Sequence, residues 1–286
     1  MRKQDAWGWE IAVDTFLGGA GAGLYASSFL LGVANVSAQE FLRYGLLLGP
    51  ILLLVGLVVL FAELGKPARI IKAFANIRSS WMSVGGVIQT IFIICALGYS
   101  LPMFGPFSWL PWGTGVFGLL IGTVGLIAGI LVLLYHGFLF GDSRGVPLWS
   151  TPILQPLFLF VGLSTGLAAL FLIGYGIGME MLTLQTIGNI TLVFLAGEGI
   201  VLWAFLMVPS RMTYELSVME LKTPANLGIM GGIAIILPAV LFATISLTGF
   251  TAPGILAGLL ILIGGFYLRH IIIKAGRYYP SRINMP

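Results

Sequence analysis

Five positions in the 286-residue chain place polar or ionisable side chains inside otherwise apolar stretches, and each has a chemistry it could perform. Glu198, in L-A-G-E-G-I, falls near the middle of an apolar run with no basic residue within a helical turn. An ionisable group at that depth in hydrocarbon costs about 2.5 to 3.5 kcal/mol on insertion scales, so its retention points to function. The neutral acid is the form expected there, and it can relay a proton or bond a neighbouring helix as structural glue. Asp14 lies one turn into the first run, with Glu10 on the same face and a glycine series after it. A groove beside an acceptor at the edge of hydrocarbon suits the head of a lipid-soluble ligand; an ion pair with a basic loop residue is the plainer alternative. Gln89 lies two turns inside the third run, where its amide can bond a ligand carbonyl or a neighbouring helix. Tyr135 and His136 close the fourth run. A phenol beside an imidazole can exchange protons with a ligand oxygen, or serve only as an interfacial anchor with His136 solvated. At the water boundary, Glu63 in E-L-G-K-P-A-R has Lys66 at i+3 and Pro67 ending the helix, which suits a local ion pair and a point of proton exchange.

The elements that must position these groups are membrane helices. Hydrophobic residues make up 58% of the chain and charged ones 8%, against about a quarter charged in a soluble domain, so a water-soluble enzyme is excluded. A single cysteine, Cys95, rules out an internal disulfide, thiolate-bound zinc and an iron–sulfur cluster held by this chain alone. Two histidines, His136 and His270, are too few for the four axial ligands of a dihaem anchor. Apolar runs of spanning length start near residues 11, 44, 81, 114, 152, 187, 224 and 253, and end near 34, 64, 104, 136, 176, 208, 248 and 273. The first run lacks the basic n-region and cleavage site of a signal peptide, so it is expected to be retained. The connections are too short to fold alone, so no extramembrane domain is expected.

An even number of spans places both termini on one side. That side carries Arg2, Lys3, Lys66, Arg69, Lys72, Arg78, Arg144, Arg211, Lys222, Arg269, Lys274, Arg277 and Arg282, against Arg43 alone opposite. The asymmetry predicts cytoplasmic termini in the inner (cytoplasmic) membrane, and Lys66, Arg69, Arg78 and Arg144 could also receive an acidic partner protein. Arg269 and His270 are expected to mark the membrane interface. Shifting the first three span starts by 143, half the chain, gives 154, 187 and 224, which match spans five to seven. Leu17–Leu24 aligns with Phe160–Leu167, pairing Gly19 with Gly162 and Gly23 with Gly166. The expected architecture is all-α: eight transmembrane helices in two side-by-side four-helix bundles, residues 1–143 and 144–286, related as a parallel internal repeat. Asp14, Glu63, Lys66, Arg69, Tyr135 and His136 then share one end of the first bundle, a single polar mouth. Trp109 and Trp112 at the opposite end read as an aromatic belt.

Three stretches resemble the membrane subunit of polysulfide-reductase-type complexes, the NrfD-like family: W-G-W-E-I-A-V-D-T-F-L-G-G-A-G-A-G at 7–23, E-L-G-K-P-A-R at 63–69 with S-S-W-M-S-V-G at 79–85, and G-V-P-L-W-S-T-P-I-L-Q-P at 145–156. The resemblance covers essentially the whole chain. It implies an eight-helix quinone-binding anchor without haem, beside a ferredoxin-like iron–sulfur subunit with four clusters and a molybdopterin-type catalytic subunit. It also implies a quinone pocket in the first bundle, near the start of span one and the end of span four. Where family anchors carry an amide or other polar group, this chain has Asp14. Many relatives dock their catalytic subunits outside the cytoplasmic membrane, whereas the charge count puts this mouth inside; cytoplasm-facing relatives also exist.

The resulting expectation is that menaquinone or another quinone enters from lipid and meets Asp14, Gly19, Gln89, Tyr135 and His136. Protons would pass through Asp14, His136 or Glu63, and Glu198 would offer a second route. Electrons must come from or go to a docked partner, since neither haem nor cluster is expected in the chain, and no nucleic-acid partner is expected. Two rival readings are a secondary transporter or ion-translocating carrier, for which duplicated halves also speak, and a passive anchor.

Overall fold

A glycine-rich stretch of hydrocarbon length is poor at forming a helix in water but can form one in lipid, where every backbone N–H and C=O must be satisfied within its own segment. A computed structural model describes residues 3–5, 7–34, 39–63, 81–110, 115–142, 145–207 and 212–278. In chain order its helices are α1 (Trp9–Val33), α2 (Gln39–Glu63), α3 (Trp81–Ser100), α4 (Gly115–Gly141), α5 (Leu154–Gly176), α6 (Met181–Met207), the short α7 (Met212–Leu221), α8 (Pro224–Thr248) and α9 (Pro253–Lys274). All but α7 are long and apolar enough to cross a membrane, giving the eight spans read from the sequence.

Helix α2 starts at Gln39, five residues before the expected 44, and two other boundaries differ for physical reasons. Helix α4 continues to Gly141, past the expected end at 136, because G-F-L-F-G remains apolar. Helix α6 starts at Met181, six residues before the expected 187. Its early polar residue Gln185 is satisfied across helices, its amide donating to the Ile245 carbonyl at 3.2 Å. Within α8, Gly228–Ile236 winds as a π-helix just before Pro238, whose missing N–H already interrupts the ordinary ladder.

Helices α1 and α5 are the central pair, buried along 72% and 67% of their most apolar stretches, against about a third for α2, α6 and α8. They meet through glycines. A Cβ on Gly23 would run into the Gly162 carbonyl, and one on Gly166 into the Gly23 backbone. Backbones therefore touch where the sequence aligned these same residues as counterparts. Helix α1 also packs on α2, α4 and α9; α3 packs on α2 and α4; α6 packs on α5 and α8; and α9 packs on α5 and α8. One apolar core joins Tyr25, Phe29, Leu53, Phe92 and Val132 from α1 to α4. A second is built mostly from residues beyond 140, and takes in Ala12, Leu24 and Phe41.

Both ends of the described chain lie together. The Gln4 backbone N–H donates to the Gly276 carbonyl at 3.0 Å, and Glu220 of α7 accepts from Lys3 at 2.7 Å and from Arg277 at 3.2 Å. An even number of crossings puts both on the same side. At the other end, two 3-10 turns and the exposed Trp109 cap α3, and Arg43 lies over the rings of Tyr44 and Phe104.

Candidate functional site

The absence of side chains on one helix makes room for polar groups on the next. Asp14, buried in the second turn of α1, faces α2 at Gly56, where a Cβ would come within 3.3 Å of Oδ1. One turn on, Gly18 faces His136 of α4: a Cβ there would lie 3.0 Å from Cε1 and 3.3 Å from Nε2. His136 is 1% exposed, and its Nε2 has no hydrogen-bond partner among the described residues. Tyr135, its chain neighbour, turns towards α3, where its ring packs directly on Gly85. The two rings sit 5.5 Å apart at 49°. Tyr135 and Asp14 are close enough to interact electrostatically. Gln89, one turn past Gly85 on α3, is buried as well.

Three of the five expected ligand contacts, Asp14, Tyr135 and His136, thus converge from α1 and α4, with Gln89 a turn from the Tyr135 contact. Gly19 does not face this group. Adjacent helix positions differ by about 100°, and Gly19 meets Arg269 of α9 instead. Tyr135 and His136 do not close their span either: the helix continues to Gly141 and both side chains are buried, so the solvated-anchor alternative does not describe them.

Glu198 lies in mid-α6, 3% exposed, and accepts a hydrogen bond from the Ser164 hydroxyl of α5. No basic residue is near it in sequence, but Arg269 is near it in space. Arg269 corrects one expectation. It is 1% exposed and does not mark an interface, which removes it from the loop charges but leaves their asymmetry in place. Lys274, not Arg269, ends the span, so the arginine sits more than a turn inside it. That register was the signal in the sequence; Gly18, Gly85 and Ser164 had none beyond being small residues opposite larger ones.

Lys66, Arg69, Arg78 and Arg144, the expected docking residues, lie outside the described residues. So does the side chain of Glu63, although α2 ends at that residue. In the G-V-P-L-W-S-T-P-I-L-Q-P segment residues 146–149 are buried: Trp149 donates from Nε1 to the Ile272 carbonyl at 3.0 Å and packs against Trp7 and Phe140. Among the described residues, no three His, Cys, Asp or Glu side chains gather closely enough to hold a metal ion.

Eight spanning helices around buried polar groups define a multi-pass membrane protein. The chain belongs to the polysulphide reductase, NrfD family, whose family model matches residues 1–280. It is 30% identical over 168 residues to the C subunit of the sulfite dehydrogenase of Allochromatium vinosum, a match covering 53% of this chain and 50% of that one. The C component of the polysulfide reductase of Wolinella succinogenes is 31% identical over 184 residues, covering 59% of this protein and 58% of the relative. Protein NrfD of Escherichia coli is 28% identical over 183 residues, covering 57% of each. The chain thus matches about half the length of these curated relatives.

Proposed function

We propose that this chain is the membrane subunit of a quinone-linked oxidoreductase complex, and that a quinone head binds between α1, α3 and α4. The observation that carries the reading is His136 Nε2, buried at Gly18 without a partner, in one group with Tyr135 and Asp14. A buried polar atom in that state is costly and suits a ligand oxygen as its partner. The Tyr135 hydroxyl and His136 Nε2 would hold the ring oxygens and exchange protons with them, and Asp14 would pass protons towards the terminus-side water with Glu63 beyond it. Electrons would pass between the ring and a docked ferredoxin-like four-cluster iron–sulfur subunit, itself coupled to a molybdopterin-type catalytic subunit. Support for such partners comes from the names of the relatives, which are subunits of a sulfite dehydrogenase and a polysulfide reductase. Lys66, Arg69, Arg78 and Arg144 would form the docking face, with both termini in the cytoplasm and the chain in the inner membrane.

Gly85 sets the position of Tyr135, so Gly85→Ala should push the ring away from the site. A misplacement of about 1 Å can cost on the order of a hundredfold in rate. Quinone turnover by the complex is therefore expected to fall by about ten- to a hundredfold, while the partner's reaction with an artificial dye is unchanged. Unaltered quinone turnover would separate Tyr135 from the chemistry.

The transporter alternative is less well supported. The π-helix at Gly228–Ile236 has no counterpart in α3, which is an ordinary α-helix at the residues 143 earlier. Inverted carriers place matching breaks in both halves. Mild extraction and purification of the chain tests the readings against each other. An attached iron–sulfur protein together with extractable quinone is the expected result. A lone chain that moves solute across liposomes would favour the carrier, and a complex without quinone the passive anchor.

A further inference from the structure

Arg269 is a buried ionisable group to which the proposed quinone chemistry gives no task, and its surroundings suggest one. Its guanidinium crosses from α9 to α1 and lies on Gly19, where a Cβ would collide with Nη2 and stand 3.3 Å from Cζ. Gly265, one turn back on α9, accepts a hydrogen bond from Nη1 at its carbonyl at 3.2 Å, and a Cβ there would collide with Thr165 of α5. The rings of Phe16 and Phe158 flank it at 5.9 and 5.5 Å. Nε has no hydrogen-bond partner among the described residues. Gly19 and two aromatic faces therefore form a slot for a planar cation between the halves of the chain. A cation kept in such a slot at spanning depth is expensive.

Contacts place it near groups of both halves: Gly19, on which the guanidinium lies, adjoins Gly18, which faces His136 of α4, and Gly265 faces Thr165 of α5, next to the Ser164 that donates to Glu198 of α6; both ionisable groups interact with it electrostatically. The remaining titratable groups on the elements concerned are Glu10, Asp14 and Tyr25 on α1, Cys95 and Tyr99 on α3, Tyr135 on α4, Tyr175 at the far end of α5, and Tyr267, His270 and Lys274 on α9; α8 has none. We propose that Arg269 is an electrostatic link between the halves, a positioning residue through which the proton occupancy of Glu198 sets the reactivity of His136. An ionised Glu198 holds the guanidinium towards itself by attraction; a neutral one releases it towards His136, and positive charge on the imidazole then costs more. Coupling of this kind is reciprocal, so a proton taken or released at the quinone site is felt at Glu198 in turn.

The inference rests on the quinone reading, and one experiment tests both separately. Quinone turnover by the complex in native membranes is measured against pH for wild type, Glu198→Gln, Arg269→Gln, Arg269→Lys and the two double variants. The expected result is that Glu198→Gln moves the acid limb of the profile to lower pH by roughly one unit, a tenfold coupling. The shift should vanish in the Arg269→Gln background and persist in Arg269→Lys, which keeps the charge. A structural role alone would lower the rate without removing the shift. Should Arg269→Gln fail to accumulate, Gly19→Ala, which displaces the guanidinium, takes its place and should also reduce the shift. A Glu198→Gln shift of equal size with and without the arginine, or no shift at all, overturns the link. Wild-type membranes with no quinone turnover would overturn the quinone reading itself, and the link with it, before any variant is compared.

Discussion

Replacing His136 by alanine is expected to lower quinone turnover by about 10²- to 10⁴-fold, the usual contribution of a positioned acid or base. Oxidation or reduction of the partner by an artificial dye should be unaffected, because that electron path never enters the helices. The size of the effect follows from burial. His136 is 1% exposed, so water cannot replace the imidazole as a proton donor or acceptor at that place. Removing the ring also leaves a void beside Gly18 instead of a new contact. His136→Gln should restore part of the binding but little of the rate, since an amide can hydrogen-bond a ring oxygen but does not titrate in the working range. Tyr135→Phe should have a smaller effect of the same kind, retaining the packing on Gly85 while losing the hydroxyl. If turnover per complex were unchanged in both His136 variants, the site would have to lie elsewhere.

The second large effect is on assembly. Gly23→Leu places a branched side chain where even a Cβ meets the Gly162 carbonyl, and Gly166→Leu does the same against the Gly23 backbone. Overpacking usually costs about 1 to 3 kcal/mol, but that range describes side chains yielding to side chains. Here the obstacle is backbone on both helices, so α1 and α5 must separate and take both cores with them. Either variant should sharply reduce the yield of folded chain in detergent and lower its unfolding temperature. Gly228→Ala is the control: nothing lies within 4 Å of a Cβ there, and its unfolding temperature should stay at the wild-type value. Equal stability of Gly23→Leu and wild type would contradict the close crossing.

Much of this was legible in the sequence because lipid simplifies the reading. Hydrocarbon thickness fixes how long a helix must be, and backbone satisfaction forbids most alternatives, so eight runs of apolar residues translate directly into eight spans. The glycine alignment of 17–24 with 160–167 was informative beyond its purpose, since Gly23 and Gly166 prove to touch. What was not legible is rotation about each helix axis. A chain that is apolar all round offers no amphipathic stripe to say which face points inward. Gly19 was for that reason expected at the ligand, whereas its neighbour Gly18 faces His136 and Gly19 faces Arg269. Arg269 itself was read as a loop charge, because in a one-dimensional count a basic residue near a span end looks like the positive-inside signal. Only the crossing of α9 over α1 shows that it is buried. The polar mouth read at the ends of the first four spans was likewise placed too shallow: α4 runs on to Gly141, so Tyr135 and His136 sit deeper than the end of an apolar count suggested.

The central claim is that a quinone head binds among α1, α3 and α4, and light-driven crosslinking with a photoreactive quinone tests it most directly. Applied to the purified complex and followed by peptide mapping, the label should fall on segments 9–33, 81–100 and 115–141, be displaced by excess unmodified quinone, and decline in His136→Ala. Displaceable label confined to residues 154–274, with none on the segment that carries His136, would contradict the account.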